Sequence, residues 1–123
     1  ELLDKIYVGE LKKRILPPEM KVIVDDNNMV TEISKTLDIS RALGESVGIE
    51  KIKADYSKAL YAELEKMIEQ EKLVDIFYER AFERLIPQGY SFRAINTTDL
   101  FSIELDTVDD FNQAKELIPA ELL

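Results

Sequence analysis

Near one end of the chain, Leu100-Phe101-Ser102-Ile103-Glu104-Leu105-Asp106 alternates apolar and polar residues. Successive side chains of a strand point to opposite faces. A strand here would therefore place Phe101, Ile103 and Leu105 on one face and Ser102, Glu104 and Asp106 on the other. Glu104 and Asp106 would stand about 7 Å apart at a strand end. Hard cations such as magnesium prefer carboxylate oxygen and commonly take one or two protein carboxylates plus substrate phosphates. Strand ends are also where open α/β sheets bind ligands. The same Asp106 precedes an expected helix, which it could cap or whose positive end it could face. Local chemistry leaves both roles open, and no second acidic cluster is an obvious partner for a metal.

The composition removes many other chemistries. The chain has 123 residues, enough for one small domain, and contains neither cysteine nor histidine. A disulfide scaffold, a thiolate nucleophile, a zinc site built on Cys or His, and a Ser-His-Asp triad are all excluded within it. Any chemistry rests on carboxylates, Lys, Arg, Tyr, Ser and Thr. The formal charge of −9 repels phosphate backbones, so no nucleic-acid partner is expected. The longest basic run, Lys12-Lys13-Arg14, reads as a solvated patch. No apolar run approaches the roughly 20 residues of a membrane span, and no signal peptide is visible, so a cytoplasmic setting without a membrane partner is expected. Glu1 rather than Met begins the sequence, as expected of a piece of a longer protein.

Around the acidic pair, periodicity defines the elements that must position it. Residues 1–16 carry apolar groups broken by Gly9 and fit a short helix or two short pieces, ended by Pro17-Pro18. Lys21 to Ser34 reads as a hairpin with Asp26, Asn27 and Asn28 in its turn. Residues 36–45 read as a loop ending near Gly44. Ser46 to Ile52 reads as a third strand in which Gly48 marks a bulge or a close backbone approach. Tyr56, Ala59, Leu60, Leu64, Met67 and Ile68 fall at helical spacing after Asp55, a candidate N-cap. Val74, Phe77, Tyr78, Ala81, Phe82, Leu85 and Ile86 form a second helical face, with Asp75 near its start and Pro87 and Gly89 closing it. Met67 and the phenylalanines of these helices are expected in the core. Tyr90–Ile95 and Leu100–Leu105 complete a set of five strands, and Thr107 opens a last helix through Leu117, with Asp110 spaced as its capping-box partner. Strands and helices in this order predict an α/β or α+β layer, a mixed sheet with covering helices, and α/β is the expectation adopted.

The order of these landmarks resembles a known family. Glu104-Leu105-Asp106-Thr107-Val108-Asp109-Asp110-Phe111, followed by Ala114, is similar to the ending of the sugar-phosphate and phosphocholine nucleotidyltransferases. Leu105 stands where Ile is commoner and Phe111 where Leu is commoner. Val22-Ile23-Val24-Asp25 through Val30-Thr31-Glu32-Ile33-Ser34-Lys35 resembles that family's hairpin. Gly44-Glu45-Ser46-Val47-Gly48-Ile49 resembles its next strand, which lines the acceptor pocket, and Asp75-Ile76-Phe77-Tyr78-Glu79 resembles a segment beside the same pocket. The family's Gly-rich loop with Arg, its Pro-Lys pair and its upstream metal-binding Asp have no counterpart.

The resemblance implies the C-terminal portion of a Rossmann-type nucleotidyltransferase, with residues 21–123 as its acceptor-binding part and 1–20 as a linker or remnant of what precedes. The intact protein would transfer a nucleoside monophosphate from a triphosphate to a phosphorylated or phosphonate acceptor and release pyrophosphate. Glu32-Ile33-Ser34-Lys35 with Gly44-Glu45-Ser46 resembles the cytidylyltransferase branch, so CTP is the expected donor. The resemblance also implies Mg2+ as cofactor with Asp106 as a ligand, Glu104 orienting Asp106, and Lys35 as the catalytic cation near the acceptor phosphate. Glu45, Tyr78 and Glu79 would contact a cationic acceptor. Without the resemblance, Lys35 reads equally as a solvated lysine, Tyr78 as a tyrosine at the core edge, and Glu104 as an exposed strand residue. This portion alone is expected to be inactive for want of a nucleotide-binding half. A reading of another class is a non-catalytic interaction domain derived from that fold, with a homodimer among its possible states.

Overall fold

The computed structural model describes residues 4–9, 20–36, 39–101 and 103–122. Lys12-Lys13-Arg14, Pro17-Pro18 and Ser102 lie outside the described residues. Five strands form one mixed sheet: β1 (Lys5–Gly9), β2 (Lys21–Val24), β3 (Val30–Ser34), β4 (Gly44–Lys51) and β5 (Arg93–Asn96). Their order across the sheet is β3-β2-β4-β1-β5. The helices are α1 (Ala54–Glu65), α2 (Glu79–Leu85) and α3 (Val108–Leu117). The expected α/β class, with helices on a mixed sheet, is what the chain adopts. No helix among the described residues is long and apolar enough to cross a membrane.

The hairpin forms as its turn residues predict. Asp25 accepts the backbone N–H groups of Asn27 and Met29 at 2.8 and 3.0 Å, and Asn28 takes a left-handed φ of 62° that Asn tolerates. The third strand also forms, beginning at Gly44. A Cβ on Gly44 would stand 2.1 Å from the Gly9 carbonyl oxygen, so only glycine lets β4 approach β1 at this point. Further along β4, Gly48 takes φ +81° where the β1–β4 register slips between Ile6 and Val8, and its N–H donates to Ser46 Oγ. That slip is the expected bulge.

Where residues 1–16 are described, a strand replaces the short helix that was one of their two expected readings. Lys5–Gly9 is a strand, paired antiparallel with β4 and parallel with β5. Its inward residues Ile6 and Val8 are fully buried, a period of two within a run too short to separate strand from helix by apolar spacing alone. The second correction concerns Leu100–Leu105, where no strand forms among the described residues. Leu100 is 69% exposed, and Phe101 and Leu105 are exposed as well, so extended pairing would gain them no burial. β5 is already occupied on both sides. It pairs with β1 on one, and on the other Ala94 N–H donates to the Asn28 carbonyl while Phe92 accepts from Val30 N–H, both at 2.8 Å. The sheet thereby curls until its last strand meets the start of β3, and Leu100–Leu105 finds no edge to join.

Of the helices, only the second is shorter than its apolar spacing predicts. α1 begins after Lys53, which makes no side-chain cap; Asp55, the expected N-cap, lies in the first turn. The Lys53 N–H instead donates to Asp4 Oδ1 at 2.6 Å, tying α1 to the residue before β1. α1 continues into a π turn over Lys66–Gln70, and Lys72 then takes φ 57°. That left-handed residue ends the helical path. Val74 to Tyr78 consequently lies outside α2, and Phe77 is exposed rather than in the core. The expected core holds elsewhere: Met67, Phe82 and Leu85 are buried, and Gly89 closes the turn after Pro87.

Packing between layers rests on rings. Tyr56 of α1 and Phe82 of α2 both meet Phe92, with centroids 4.8 and 4.9 Å away, and Tyr90 stands edge-on to Tyr56 at 5.8 Å. Such pairs add about 0.5–1.5 kcal/mol each beyond their buried area. Arg84 of α2 fastens the layer from outside, with Nε 2.7 Å from Glu63 of α1 and its terminal nitrogens forked onto Glu71. The Glu71 carboxyl is held below its usual value chiefly by the hydrogen bonds from Arg84.

The two β4 glycines separate steric from conformational demand. Gly44→Ala forces backbone apart and is expected to cost about 1–3 kcal/mol or more. Gly48→Ala has open space around it and is expected to cost only its left-handed backbone, about 1–2 kcal/mol. Urea unfolding of both variants measures the pair; an unaffected Gly44→Ala would sink the close-approach account.

Candidate functional site

Lys35 follows the last residue of β3 and is held at three points. Its carbonyl accepts from Lys21 Nζ at 2.7 Å. The adjoining turn is set by Ser34 Oγ, which accepts the Thr36 N–H and shares a hydrogen bond with the Thr36 hydroxyl. Its ammonium lies 3.3 Å from the ring centroid of Phe77. Among the described residues no carboxylate forms an ion pair with that ammonium.

The residue after Phe77 opens a cluster of opposite sign. The Tyr78 hydroxyl donates to Glu50 Oε1 at 3.1 Å, and its ring packs edge-on against Phe82. Burial raises the Tyr78 hydroxyl above its ordinary value, and the carboxylates of Glu50 and Glu79 raise it further. Glu79, first residue of α2, is 9% exposed, and its Oε1 is buried without a hydrogen-bond partner. Glu50 is half-buried. Desolvation raises its carboxyl above the usual range, the Tyr78 hydrogen bond opposes this, and Glu79 adds to the rise. Tyr56 stands behind the group, 1% exposed, with a hydroxyl that is buried and unpartnered. Burial, then Asp4 and Glu50, hold the Tyr56 proton in place. Glu79 Oε1 is thus a buried acceptor without a donor, next to the Tyr78 hydroxyl and the Glu50 carboxylate.

The structure brings Tyr78 and Glu79 together as expected, and it adds Glu50 and Tyr56. Glu45 sits elsewhere. It is 6% exposed and opposite buried Lys21 in the β2–β4 register, five residues along β4 from Glu50. At about 3.3 Å per residue that is roughly 15 Å. Glu50 was legible only in hindsight as the acid closing β4, and nothing in the spacing marked Tyr56 as more than core.

At the other expected site, Asp106 is exposed in the turn before α3 and Glu104 is half-buried in the irregular stretch preceding it. With no strand there, the shared-face geometry derived for them falls away. The helix cap is formed by other residues. Thr107 Oγ1 accepts from the Asp110 N–H at 3.0 Å, and Asp110 Oδ2 accepts the N–H groups of Thr107 and Asp106, each at 3.0 Å. The predicted capping box is therefore present, and the N-cap is Thr107, not Asp106. Among the described residues no group of three or more acidic side chains is gathered as a metal cage. A single exposed carboxylate fits magnesium only in the mode where phosphates and water complete the shell.

Glu50 sets a pH dependence whose sign follows from its raised value. The folded state holds that proton more tightly than the unfolded one. The corresponding stability is present below the ordinary carboxylate value, about 4.3, and is lost as pH rises through the higher folded value. Glu50→Gln keeps an acceptor for Tyr78 and removes the charge. Its stability relative to the wild type is expected to be greater at pH 7 than at pH 4 in urea unfolding. A difference that does not change between the two would contradict the desolvation of Glu50.

With this geometry in place, comparisons with known proteins define the fold. No protein-family model matches the chain, and no curated protein sequence does. Among solved structures, the chain is similar to the CTP:phosphocholine cytidylyltransferase of Streptococcus pneumoniae, with a TM-score of 0.72 and 13% sequence identity over 97% of this chain and 50% of that one. The chain thus spans half the length of that enzyme, and what the two share is a nucleotidyltransferase-like fold.

Proposed function

We propose that the chain is the acceptor-binding part of a nucleotidyltransferase that transfers a nucleoside monophosphate, from CTP, to a zwitterionic phosphorylated or phosphonate acceptor such as phosphocholine. The observation that carries this reading is the division of charge across three consecutive residues. Phe77 bears the Lys35 ammonium, while Tyr78 and Glu79, with Glu50, form an acidic and aromatic group. A phosphate suits the first and an organic cation the second. The buried Glu79 carboxylate, with Oε1 unpartnered, gives the second a group whose charge a cation would offset. The likeness of fold to a cytidylyltransferase supports the same reading at the level of architecture.

The chemistry asks little of acid–base groups, which suits a chain without histidine. An oxygen of the acceptor phosphate or phosphonate is already anionic and attacks the α-phosphorus of the triphosphate. A new P–O bond forms, the bond from the α-phosphorus to the bridging oxygen of the β-phosphate breaks, and pyrophosphate leaves with the electron pair. No proton need be removed from the nucleophile. Catalysis is then positioning and charge compensation. Lys35 would offset the charge on the acceptor phosphoryl oxygens, and Tyr78, Glu50 and Glu79 would hold its cationic end. Magnesium, when bound, would neutralise the triphosphate; Asp106 is the residue offered for it here, with Glu104 behind it. The nucleotide-binding half and the other metal ligand would come from sequence outside this chain.

A second reading keeps a specific observation of its own. Leu100, Phe101, Leu105, Val108, Phe111, Leu117 and Leu122 are all exposed, and such an apolar run is what a protein interface uses. On that reading the chain serves assembly, as a homodimer or against another half, without turnover.

The protein containing this chain, given CTP, Mg2+ and phosphocholine, is expected to release pyrophosphate and form the cytidine diphosphate ester. Lys35→Ala should lower kcat by about 10²-fold, the scale of losing one charge-stabilising group. Asp106→Asn should nearly abolish turnover with the fold intact, because Thr107 and Asp110 cap α3. Glu79→Gln should raise KM for the cationic acceptor and leave a phosphate acceptor without a cation unchanged. No pyrophosphate release, together with a stable dimer, would replace the catalytic reading by the assembly one.

A further inference from the structure

The Lys35 ammonium is met by a ring and not by a carboxylate. It lies 3.3 Å above the Phe77 ring, and no carboxylate among the described residues pairs with it. Phe77 is 57% exposed and contributes little to the core, so burial does not explain why a large ring occupies this place.

We infer that Phe77 is a positioning residue that holds the Lys35 ammonium ready for an anionic phosphoryl group. This rests on the reading of Lys35 as the phosphate contact. A carboxylate partner would cancel the charge that a phosphate needs. A ring face attracts the ammonium through its quadrupole and leaves the net charge intact. It occupies one side only, so N–H donors remain for phosphate oxygens. It also fixes a long side chain that would otherwise lose rotamer freedom on binding. The backbone of Lys35 is fixed independently, by Lys21 Nζ on its carbonyl and by the Ser34–Thr36 turn. What Phe77 adds is therefore the placement of the charged end. Because the ring precedes Tyr78 directly, the same segment that carries the acidic group also sets the ammonium.

The test reads Lys35 directly. Its side-chain methylene resonances, assigned in the full chain by their loss in Lys35→Arg, are expected upfield in the wild type from the ring current. They should return to the ordinary lysine position in Phe77→Leu and remain displaced in Phe77→Tyr. Titration with inorganic phosphate, followed on backbone amides near residue 35, should be roughly two- to fivefold weaker in Phe77→Leu and unchanged in Phe77→Tyr. Undisplaced wild-type resonances would overturn the inference. So would phosphate binding by Phe77→Leu equal to the wild type while Lys35→Ala loses it, and in that case Lys35 keeps its role and only Phe77 loses one. Phosphate binding unaffected by Lys35→Ala would overturn both the inference and the reading it rests on.

Discussion

The double pairing of β1 is the constraint on which the rest of this molecule depends. Five residues satisfy an antiparallel neighbour on one side and a parallel one on the other, and each pairing fixes something the site uses. The antiparallel side requires Gly44 to pass within reach of the Gly9 carbonyl, which sets where β4 begins. From there the bulge at Gly48 sets the phase with which β4 presents Glu50. The parallel side seats β5, whose other edge meets Asn28–Val30 and closes the curl of the sheet. Asp4, just before β1, accepts the first free N–H ahead of α1. A strand that looks peripheral in the sequence thus orders β4, β5 and α1 together.

The ring cluster carries that order outward to the candidate site. Phe92 lies just before β5, Tyr56 is in α1 and Phe82 in α2; their contacts place the start of α2 over the sheet. Tyr78 packs on Phe82 and so is held from below, while its hydroxyl is held by Glu50 of β4. Glu79 is then carried into burial as the first residue of α2, with one oxygen left without a partner. Leaving a buried acceptor unsatisfied costs on the order of 1–3 kcal/mol. A fold seldom retains such a cost where water or a ligand has no part in relieving it.

The legible parts of the sequence were those with local chemistry. Asp26, Asn27 and Asn28 announced the hairpin turn, Gly48 the bulge, and Thr107 with Asp110 the capping box, because each is a matter of near neighbours in sequence. The illegible parts were decided at long range. Lys5–Gly9 is strand because β4 and β5 pair with it, and Leu100–Leu105 is not strand because β5 has no edge left, though its alternation is the cleaner of the two. Val74 to Phe77 kept helical spacing but joined no helix, once Lys72 had turned left-handed. The site divided in the same way. Tyr78 and Glu79 are adjacent in sequence and could be read as a pair, whereas Glu50 joins them only through the fold, and Glu45 proves to face Lys21 instead.

The exposed apolar residues from Leu100 to Leu122 and the charge division at Phe77–Glu79 are consistent with one arrangement. Ala114 is the one residue of α3 that is buried, so this helix is held mainly by its own capping box and backbone. Its remaining apolar side chains have no partner layer within the described residues, and a helix whose apolar face stays in water forgoes about 25 cal/mol for each Å² left uncovered. The chain spans half the length of the solved structure whose fold it shares. On the proposed reading, Asp106 at the start of α3 would meet the nucleotide phosphates only after that face is covered. On that reading assembly and catalysis are not rivals, since covering the exposed face of α3 would be a condition for Asp106 to meet the phosphates that the Lys35 ammonium would contact.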